Sequence, residues 1–416
     1  MLKTNNQKCV LIGEKLSHSF SPIIHSHLAD YPYTLAEVSR EELESFVRSD
    51  KFTSANVTIP YKVEIMKYLD EISDEAREIG CVNTVTHTQD GRLRGDNTDF
   101  YGLSYLISSG GIDISDKKVL ILGSGGSFLT ASAVAKSLGA KEIICVSRKG
   151  AVNYENVYSI HPDADIIINT SPVGMYPNNL ECKIDLAKFD SVKGVFDIVF
   201  NPSKTKLLLD AERLSIPAFG GLPMLVAQAK RAAEIFTGEH IDDSEIGRIT
   251  KILEETTLNI ILIGMPGCGK TTIAKALSER LGREIIDTDH KIVKNAGMPI
   301  PEIFSTFGEG VFRALEHNEI RNAGKLSGRI ISTGGGAVTV ADNYEPLHQN
   351  GIIIFIKRDI NSLSRDGRPL SLGADLFKMY EKRLPLYERF ADFTVENDSD
   401  IDSCADKIIA LIRGRK

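Results

Sequence analysis

One segment constrains the fold of this chain more than any other. The apolar run NIILI, residues 259–263, leads into Gly264-Met-Pro-Gly-Cys-Gly-Lys270-Thr271 and then into the helical pattern TIAKALSERL. Strand, glycine loop and helix in this order form a phosphate-binding unit, because glycines let backbone N–H groups converge on phosphate oxygens at a helix N-terminus. Lys270 is placed to reach the terminal phosphates, and the Thr271 hydroxyl to ligate Mg²⁺. The expected nucleotide-binding residues are Gly264, Gly267, Cys268, Gly269, Thr271 and Thr272.

A second glycine loop follows the strand-like run KVLIL. It reads Gly123-Ser-Gly-Gly126 and opens a helical pattern, which makes it a shortened form of the dinucleotide-binding loop. The next strand, IICVS, ends in Arg148 and Lys149, about 25 residues past the first glycine, where an acidic residue normally holds the ribose of NAD. Positive charge at this place suits a 2′-phosphate and favours NADPH over NADH. The alternative is that these are two solvated basic residues after a strand.

Length and composition set the class of protein. With 416 residues, 42% apolar and 25% charged, the chain is long enough for more than one globular domain. A net charge of −7 argues against a nucleic-acid partner. No apolar run approaches the ~18 residues of a membrane span, and the N-terminus lacks the pattern of a signal peptide. Six scattered cysteines without a C-x-x-C pair favour a reduced, cytoplasmic setting.

Strand and helix patterns alternate through the whole chain, which predicts an α/β protein. Between Gly238 and Leu258 the sequence turns polar, and the spacing of its Ile and Leu residues predicts a helix followed by a short joint near Thr256–Leu258. We therefore expect a substrate domain at 1–100, completed by return helices at about 223–255. A Rossmann-like NADP-binding domain is expected at 101–255, and a P-loop domain with a parallel sheet at 257–416. The oligomeric state, monomer or homodimer, stays open.

Polar clusters interrupt the apolar runs of the first hundred residues. They are Ser17-His-Ser-Phe-Ser21-Pro, Asn56-Val-Thr-Ile-Pro-Tyr-Lys62, Cys81-Val-Asn-Thr84 and Asp96-Asn-Thr-Asp99. Taken singly, each is more typical of a helix cap or a turn. Together, hydroxyls, amides, one lysine and one carboxylate suit a small polyhydroxylated molecule.

With further segments, these clusters resemble the shikimate dehydrogenases over residues 8–255. The other matching segments are the GSGG loop, NTSPVGM (169–175), DIVFNP (197–202) and GLPMLVAQA (221–229). The resemblance implies reduction of 3-dehydroshikimate by NADPH, with Lys62 as the proton donor and Asp99 as the group that orients it. It implies substrate contacts from Ser19, Ser21, Thr58, Asn83 and Gln228, and cofactor contacts from Gly123, Gly125, Gly126, Ser147, Arg148 and Thr170. One departure is Phe200, where many relatives carry Tyr, so we expect one weaker contact near the substrate or nicotinamide.

The second half resembles the shikimate kinases over about 257–413. The matching segments are GMPGCGKTT, Asp287-Thr-Asp289, the run from Ile303-Phe304 to Phe312-Arg-Ala-Leu-Glu316, Gly334-Gly-Gly-Ala, Gly367-Arg-Pro-Leu and Lys382-Arg-Leu-Pro-Leu-Tyr387. The resemblance implies that Arg313 and Arg383 clamp the shikimate carboxylate and that Asp289 accepts the proton of the phosphorylated hydroxyl. It also implies that Thr271 and Asp287 lie near Mg²⁺. The backbone of Gly334, Gly335 and Gly336 is implied to approach the substrate. Arg368, with Lys270, is implied to neutralise the transferring phosphoryl group. The lid segment Ser364–Gly373 is short for this family, and Arg365 is the candidate for adenine contact.

The two resemblances together imply a bifunctional enzyme of chorismate and aromatic amino acid biosynthesis. Its expected cofactors are NADP(H), ATP and Mg²⁺, and its expected partners are 3-dehydroshikimate and shikimate, with no nucleic acid and no membrane. One alternative is a dehydrogenase half that prefers quinate or NAD. Another is a metabolite sensor or nucleotide switch built from inactive enzyme domains, but such a chain should have lost Lys62, Asp99, Lys270 or Asp289, and all four are present.

Overall fold

The computed structural model describes residues 2–3, 7–16, 19–363, 376–398 and 400–414. Backbone packing divides the chain into two compact units. The first comprises Met1–Met175, Glu181–Phe200 and Leu207–Ile252, and the second comprises Tyr176–Leu180, Asn201–Lys206 and Leu253–Lys416.

The first unit begins with a six-stranded mixed sheet in the order β4-β2-β5-β7-β8-β6, and the pair β1-β3 lies outside it. The strands are β1 (Leu2–Lys3), β2 (Cys9–Gly13), β3 (Ala29–Asp30), β4 (Tyr33–Glu37), β5 (Ser54–Val57), β6 (Glu71–Ile72), β7 (Thr84–His87) and β8 (Leu93–Asp96). The helices are α1 (Ser21–Leu28), α2 (Leu43–Val47), α3 (Asp74–Ile79) and α4 (Thr98–Ser109), with a 3₁₀ turn at Glu64–Tyr68. β7 runs antiparallel to both β5 and β8. This reversal sets the segment before β7 beside the segment that follows β5.

A second sheet of the first unit is wholly parallel, in the order β10-β9-β11-β12-β13. Its strands are β9 (Lys118–Leu122), β10 (Glu142–Val146), β11 (Ile166–Asn169), β12 (Gly194–Asp197) and β13 (Ala218–Phe219). The helices are α5 (Gly126–Ser137), α6 (Val157–Ile160), α7 (Lys206–Arg213), α8 (Leu222–Thr237) and α9 (Ser244–Thr257). Central strands β9 and β11 are apolar and buried on both faces, as parallel strands covered by helices are. α8 returns to pack along α1 and α4.

The second unit carries another wholly parallel sheet, in the order β15-β16-β14-β17-β18. Its strands are β14 (Asn259–Ile263), β15 (Ile285–Asp287), β16 (Ile330–Ser332), β17 (Gly351–Lys357) and β18 (Phe393–Glu396). The helices are α10 (Lys270–Leu281), α11 (Thr288–Ala296), α12 (Ile300–Gly324), α13 (Tyr344–His348), α14 (Leu376–Phe390) and α15 (Ile401–Arg413). Gly308, with φ 80° and ψ 171°, interrupts α12. Only Leu258 separates α9 from β14, so the joint expected there is a single residue.

The carboxyl ends of β14, β15 and β16 meet at one edge of this sheet, which is where ligands bind in open parallel α/β sheets. The glycine loop, Asp287 and the run Gly334–Gly336 all follow these strand ends. In the part of the chain that the structure describes, no helix has the length and apolar character needed to cross a lipid bilayer.

Candidate active sites

In the first unit the structure brings Lys62 and Asp99 together. Lys62 lies in the turn after β5, and Asp99 lies in the first turn of α4. The Lys62 Nζ donates a hydrogen bond of 2.6 Å to Asp99 Oδ2, and the two side chains are only 15% and 9% exposed. A charged hydrogen bond in so little water is short and directional. The carboxylate therefore holds the ammonium in place, and the catalytic roles of both groups stay a prediction.

The amide of Asn83 lies beside this pair. Its Oδ1 accepts a hydrogen bond of 2.7 Å from the backbone N–H of Thr98, and its Nδ2 donates to Thr98 Oγ1 at 3.1 Å. Thr98 Oγ1 in turn lies 3.5 Å from Gln228 Oε1. Four residues predicted from the sequence, Lys62, Asn83, Asp99 and Gln228, are thus gathered around the start of α4.

A buried relay behind Asn83 was not expected from the sequence. The Tyr33 hydroxyl donates to Asn56 Oδ1 at 2.8 Å, and Asn56 Nδ2 donates to Thr84 Oγ1 at 3.3 Å. Thr84 Oγ1 donates to Asn83 Oδ1 at 3.0 Å. Burial raises the pKa of Tyr33 well above its usual value, so the phenol stays protonated and remains a donor. Asn83 Oδ1 therefore accepts from both Thr84 Oγ1 and the Thr98 N–H, and this fixes the orientation of the amide, with Nδ2 on Thr98 Oγ1.

Tyr33→Phe tests this relay. The change removes one hydroxyl and keeps the ring, which stacks on His25 with ring centroids 4.0 Å apart. We expect kcat/KM for 3-dehydroshikimate to fall about tenfold. This loss corresponds to the upper end of the free energy that one buried hydrogen bond contributes. The KM for NADPH and the rate of shikimate phosphorylation should stay unchanged. Steady-state kinetics of both activities measure this, and an unaltered kcat/KM would show that Asn83 is held without Tyr33.

Ser19, Ser21 and Thr58 form a different part of the first unit. The Ser21 N–H donates to Ser19 Oγ at 3.2 Å, and the Thr58 N–H donates to the Ile12 carbonyl at 2.9 Å. Within the described residues, no hydrogen bond links these three side chains to Lys62 or Asp99. Their place in substrate binding stays a prediction.

Phe200, the departure from the family pattern, packs against the residue between the two serines. Its ring centroid lies 5.5 Å from that of Phe20, with the rings tilted by 51°. The ring therefore makes an apolar contact beside Ser19 and Ser21. The weaker substrate or nicotinamide contact expected at this position stays a prediction.

The first glycine loop ends next to the lysine. Gly123 has φ 116°, and a Cβ there would lie 2.9 Å from Thr170 Oγ1, so a side chain is excluded. Gly125 precedes the first turn of α5, and a Cβ on Gly126 would lie 3.6 Å from the Lys62 Cβ. The expected dinucleotide loop and the expected proton donor are thus neighbours, which a hydride transfer requires.

Ser147, Arg148 and Lys149 follow the end of β10. Arg148 and Lys149 are exposed, and neither makes an ion pair with any described residue. Burial raises the pKa of Tyr154, whereas the charge of Arg148 opposes that rise, so the guanidinium lies near this phenol. Two unpaired cations at the end of the strand next to the glycine loop fit the 2′-phosphate of NADP.

In the second unit, the phosphate loop has the conformation that its glycines predict. Gly264, Gly267 and Gly269 have φ values of 146°, 86° and 100°, which favour glycine over other residues. The ammonium of Lys270 lies inside the loop and donates to the carbonyls of Gly264 at 2.8 Å and Met265 at 3.1 Å. The loop is therefore curled around the lysine, and this curl is also held by the Cys268 N–H, which donates to the Met265 carbonyl at 3.2 Å.

The oxygen atoms of Thr271 and Asp287 lie close together beside this loop. The Thr271 hydroxyl lies 3.4 Å from Asp287 Oδ2, while Asp287 Oδ1 caps α11 by accepting from the His290 N–H at 3.0 Å. A hydroxyl and a carboxylate oxygen fit Mg²⁺, which prefers hard oxygen ligands and keeps several waters.

A cavity of about 480 Å³ joins this loop to most of the predicted kinase residues. Its predicted lining residues are Gly267, Gly269, Lys270, Thr271, Thr272, Asp287, Asp289, Arg313, Gly334, Gly335, Gly336 and Arg383. Gly264 and Cys268, both buried, are not among its lining residues. Arg365 and Arg368 are outside the described residues.

The far end of the cavity is built around Glu316, which is fully buried. Its Oε2 pairs with Arg313 Nη1 at 2.7 Å, and its Oε1 has no hydrogen-bond partner among the described residues. Burial raises the pKa of Glu316, and the charge of Asp289 adds to this rise while Arg313 opposes it. A Cβ on Gly334 would lie 2.5 Å from Glu316 Oε1 and 2.7 Å from Asp289 Oδ1, so glycine is needed between the two carboxyl groups. The sequence motif contained Glu316, but nothing in the motif indicated that this side chain would be buried next to Asp289 and Gly334.

Arg383 reaches the same end of the cavity from α14. Its Nη1 donates to the Gly335 carbonyl at 3.2 Å, and the Tyr387 hydroxyl donates to that oxygen at 2.5 Å. A Cβ on Gly336 would clash with the Arg313 guanidinium. The glycine run therefore lies between the guanidinium groups of Arg313 and Arg383. Two guanidinium groups at one end of a cavity suit the binding of a carboxylate.

Comparison with known proteins identifies the families that both halves of the chain resemble. Residues 11–85 match the family model of the shikimate dehydrogenase substrate-binding domain, and residues 266–413 match that of shikimate kinase. The shikimate dehydrogenase (NADP(+)) of Clostridium beijerinckii is 37% identical over 264 residues, which are 59% of this chain and 97% of that protein. The chain belongs to the shikimate dehydrogenase family.

Solved structures of this family agree with the fold. A chorismate mutase/shikimate 5-dehydrogenase fusion protein from Clostridium acetobutylicum is 36% identical, with TM-score 0.56, covering 61% of this chain and 98% of that one. Shikimate 5-dehydrogenase of Thermus thermophilus, in complex with NADP(H) and shikimate, is 26% identical, with TM-score 0.52, covering 59% of this chain and 98% of that one. The present chain joins a shikimate dehydrogenase to a shikimate kinase. It is an oxidoreductase and a phosphotransferase of the shikimate pathway, with NADP and ATP–Mg²⁺ as cofactors.

Proposed function

We propose that residues 1–255 reduce 3-dehydroshikimate to shikimate with NADPH and that residues 257–416 convert shikimate to shikimate 3-phosphate with ATP. Within the first part, we assign substrate binding to 1–100 with the return helices at about 223–255, and NADP binding to 101–255. The observation that carries the proposal is the occurrence of two separate reactive groupings: the 2.6 Å Lys62–Asp99 pair beside Gly126, and the cavity that unites Lys270 with Asp289 and Arg313.

In the reductase site, NADPH supplies the hydride when it is bound. Lys62 Nζ holds the proton that the ketone oxygen takes up as it gains negative charge, and the ammonium stabilises that charge. Asp99 holds the ammonium in place, and Asn83 Nδ2 donates to a substrate oxygen. Ser19, Ser21, Thr58 and Gln228 are proposed to contact the remaining hydroxyl and carboxylate groups.

The cofactor residues divide into two groups. The backbone of Gly123, Gly125 and Gly126 admits the pyrophosphate at the N-terminus of α5, with Thr170 packed against the first glycine. Ser147 and Arg148 hold the 2′-phosphate. This arrangement supports NADPH over NADH.

In the kinase site, Asp289 accepts the proton of the hydroxyl that is phosphorylated, and Arg313 with Arg383 holds the substrate carboxylate by paired hydrogen bonds. The backbone of Gly334–Gly336 lies against the ring. Lys270 and the loop N–H groups neutralise the phosphates, and Mg²⁺, held through Thr271 and Asp287, supplies further positive charge there. The role of Arg368 on the lid stays a prediction from the sequence.

A single assay tests the whole proposal. Purified protein is given 3-dehydroshikimate and NADPH, with and without ATP–Mg²⁺, and products are separated by chromatography. We expect the reaction to stop at shikimate without ATP and to continue to the 3-phosphate with it. Quinate and NAD serve as comparison substrates, and higher kcat/KM values with them would refute the assignment of the first half.

We further propose a cytoplasmic location. All six cysteines are free thiols, as a reducing compartment favours. The monomer or homodimer expected from the sequence is distinguished by light scattering of the purified protein.

A further inference from the structure

Arg358 lines the kinase cavity but belongs to none of the family motifs found in the sequence. It follows Lys357, the last residue of β17, and β17 pairs with β14, the strand that leads into the phosphate loop. The two strand ends are in close contact, since a Cβ on Gly264 would lie 2.5 Å from the Ile356 carbonyl oxygen. Arg358 is therefore half-buried at the strand end next to the loop.

The other cations of the cavity are already engaged. Lys270 donates to two loop carbonyls, Arg383 donates to the Gly335 carbonyl, and Arg313 pairs with Glu309 and Glu316. Arg358, by contrast, makes no hydrogen bond and no ion pair with the residues that the structure describes. A half-buried guanidinium without a counter-charge is available to an incoming anion.

The charge balance of the cavity points the same way. Its lining carboxyl groups are Asp287, Asp289 and Glu316, and its lining cations other than Arg358 are Lys270, Arg313 and Arg383. Among the described residues that line the cavity, acidic and basic groups are equal in number when Arg358 is left out. Arg358 therefore gives this described part of the lining a positive excess, which favours the binding of anions.

The substrate carboxylate and the nucleotide phosphates enter at different ends. The carboxylate end is already served by Arg313 and Arg383 around Gly335 and Gly336, whereas Arg358 lies beside the loop that contains Lys270. We propose that Arg358 binds the β-phosphate oxygens of ATP and positions the nucleotide for transfer. A guanidinium suits this task because its N–H groups can engage two phosphate oxygens at once. The inference rests on the proposed kinase site.

Nucleotide binding to the full-length protein tests this role. Affinities for ADP and AMP are measured by calorimetry or competition for the wild type, Arg358→Ala and Arg358→Lys. We expect Arg358→Ala to weaken ADP binding about 10- to 100-fold, the range for a charged hydrogen-bonded contact, and Arg358→Lys to weaken it less. AMP binding should change little, because AMP lacks the β- and γ-phosphates. The KM for ATP should rise, and the KM for shikimate should not.

Three results would overturn the proposal. Equal losses of affinity for ADP and AMP would place Arg358 on the base, ribose or α-phosphate. A change in the KM for shikimate alone would place it at the sugar acid. Unchanged affinity for ADP would show that Arg358 does not bind the nucleotide phosphates. Arg321→Ala, on the exposed side of α12, is the matched control. Unaltered dehydrogenase activity and thermal unfolding show that each variant is folded. Lys270→Ala separates the two levels of failure, since undiminished ADP binding in that variant would reject the nucleotide site itself.

Discussion

Replacing Lys62 by alanine is expected to lower the rate of 3-dehydroshikimate reduction by about 10²- to 10⁴-fold, the range of a positioned general acid. The ammonium is hydrogen-bonded to Asp99, and the Cβ of Lys62 lies beside Gly126. Among the described residues, no second lysine or histidine makes a hydrogen bond or ion pair with Asp99. Its loss removes both the proton and the charge that meets the developing oxyanion. Phosphorylation of added shikimate should continue at the wild-type rate. Both rates are measured on the same preparation, from NADPH absorbance and from coupled ADP release.

Two further variants make this result specific. Lys62→Arg keeps a cation beside Asp99, but a guanidinium does not release its proton at working pH, so we expect substrate binding to persist while kcat falls. Lys67→Ala removes an exposed lysine from the neighbouring 3₁₀ turn and should change neither rate. Substantial reduction by Lys62→Ala would mean that another group supplies the proton.

The parts of both sites that sequence predicted are those encoded in contiguous segments. Gly264 to Thr271 carries its own strand, loop and helix, so its conformation follows from local chemistry. The same holds for Gly123–Gly126 and for the helix that ends at Thr257. The α/β class and the parallel sheets around these loops were confirmed, because long apolar runs bounded by glycine permit few other structures.

Contacts between residues far apart in the sequence could not be predicted from local patterns. The Lys62–Asp99 pair joins residues 37 positions apart, and only the resemblance to a family placed them together. The antiparallel β7 that brings Asn83 beside them gives no signal of its direction in the sequence. Tyr33 sits in an ordinary strand, and its hydrogen bond to Asn56 depends on how two strands pack. The role proposed for Arg358 likewise depends on its position beside the phosphate loop, which the sequence around Arg358 does not indicate.

Glu316 shows a second limit. At three residues from Arg313 on one helix, it has the spacing of an ordinary surface ion pair. The structure instead buries it fully, with Asp289 nearby and a glycine between the two carboxyl groups. Burial and charge neighbours come from α11 and the Gly334 loop, not from the helix that carries Glu316. Spacing along one helix therefore predicts a partner but not the surroundings of the pair.

Replacing Lys270 is expected to produce the converse of the Lys62 result. Lys270→Ala should lower shikimate phosphorylation by at least about 10³-fold, since in phosphoryl transfer the protein contributes mainly positioning and charge. Reduction of 3-dehydroshikimate should be unaffected. Lys270 also donates to two loop carbonyls, so its removal leaves these acceptors without a partner and lowers stability by about 1–3 kcal/mol.

Lys270→Met distinguishes charge from packing, because it keeps an apolar stem in the loop while removing the ammonium. It should be as inactive as the alanine variant in phosphorylation. Lys275→Ala, an exposed lysine further along α10, should leave both activities intact. If Lys62→Ala or Lys270→Met silenced both reactions in protein that still unfolds in one cooperative thermal transition, the two sites would depend on each other. If each silences only its own reaction, one chain carries two chemically independent active sites.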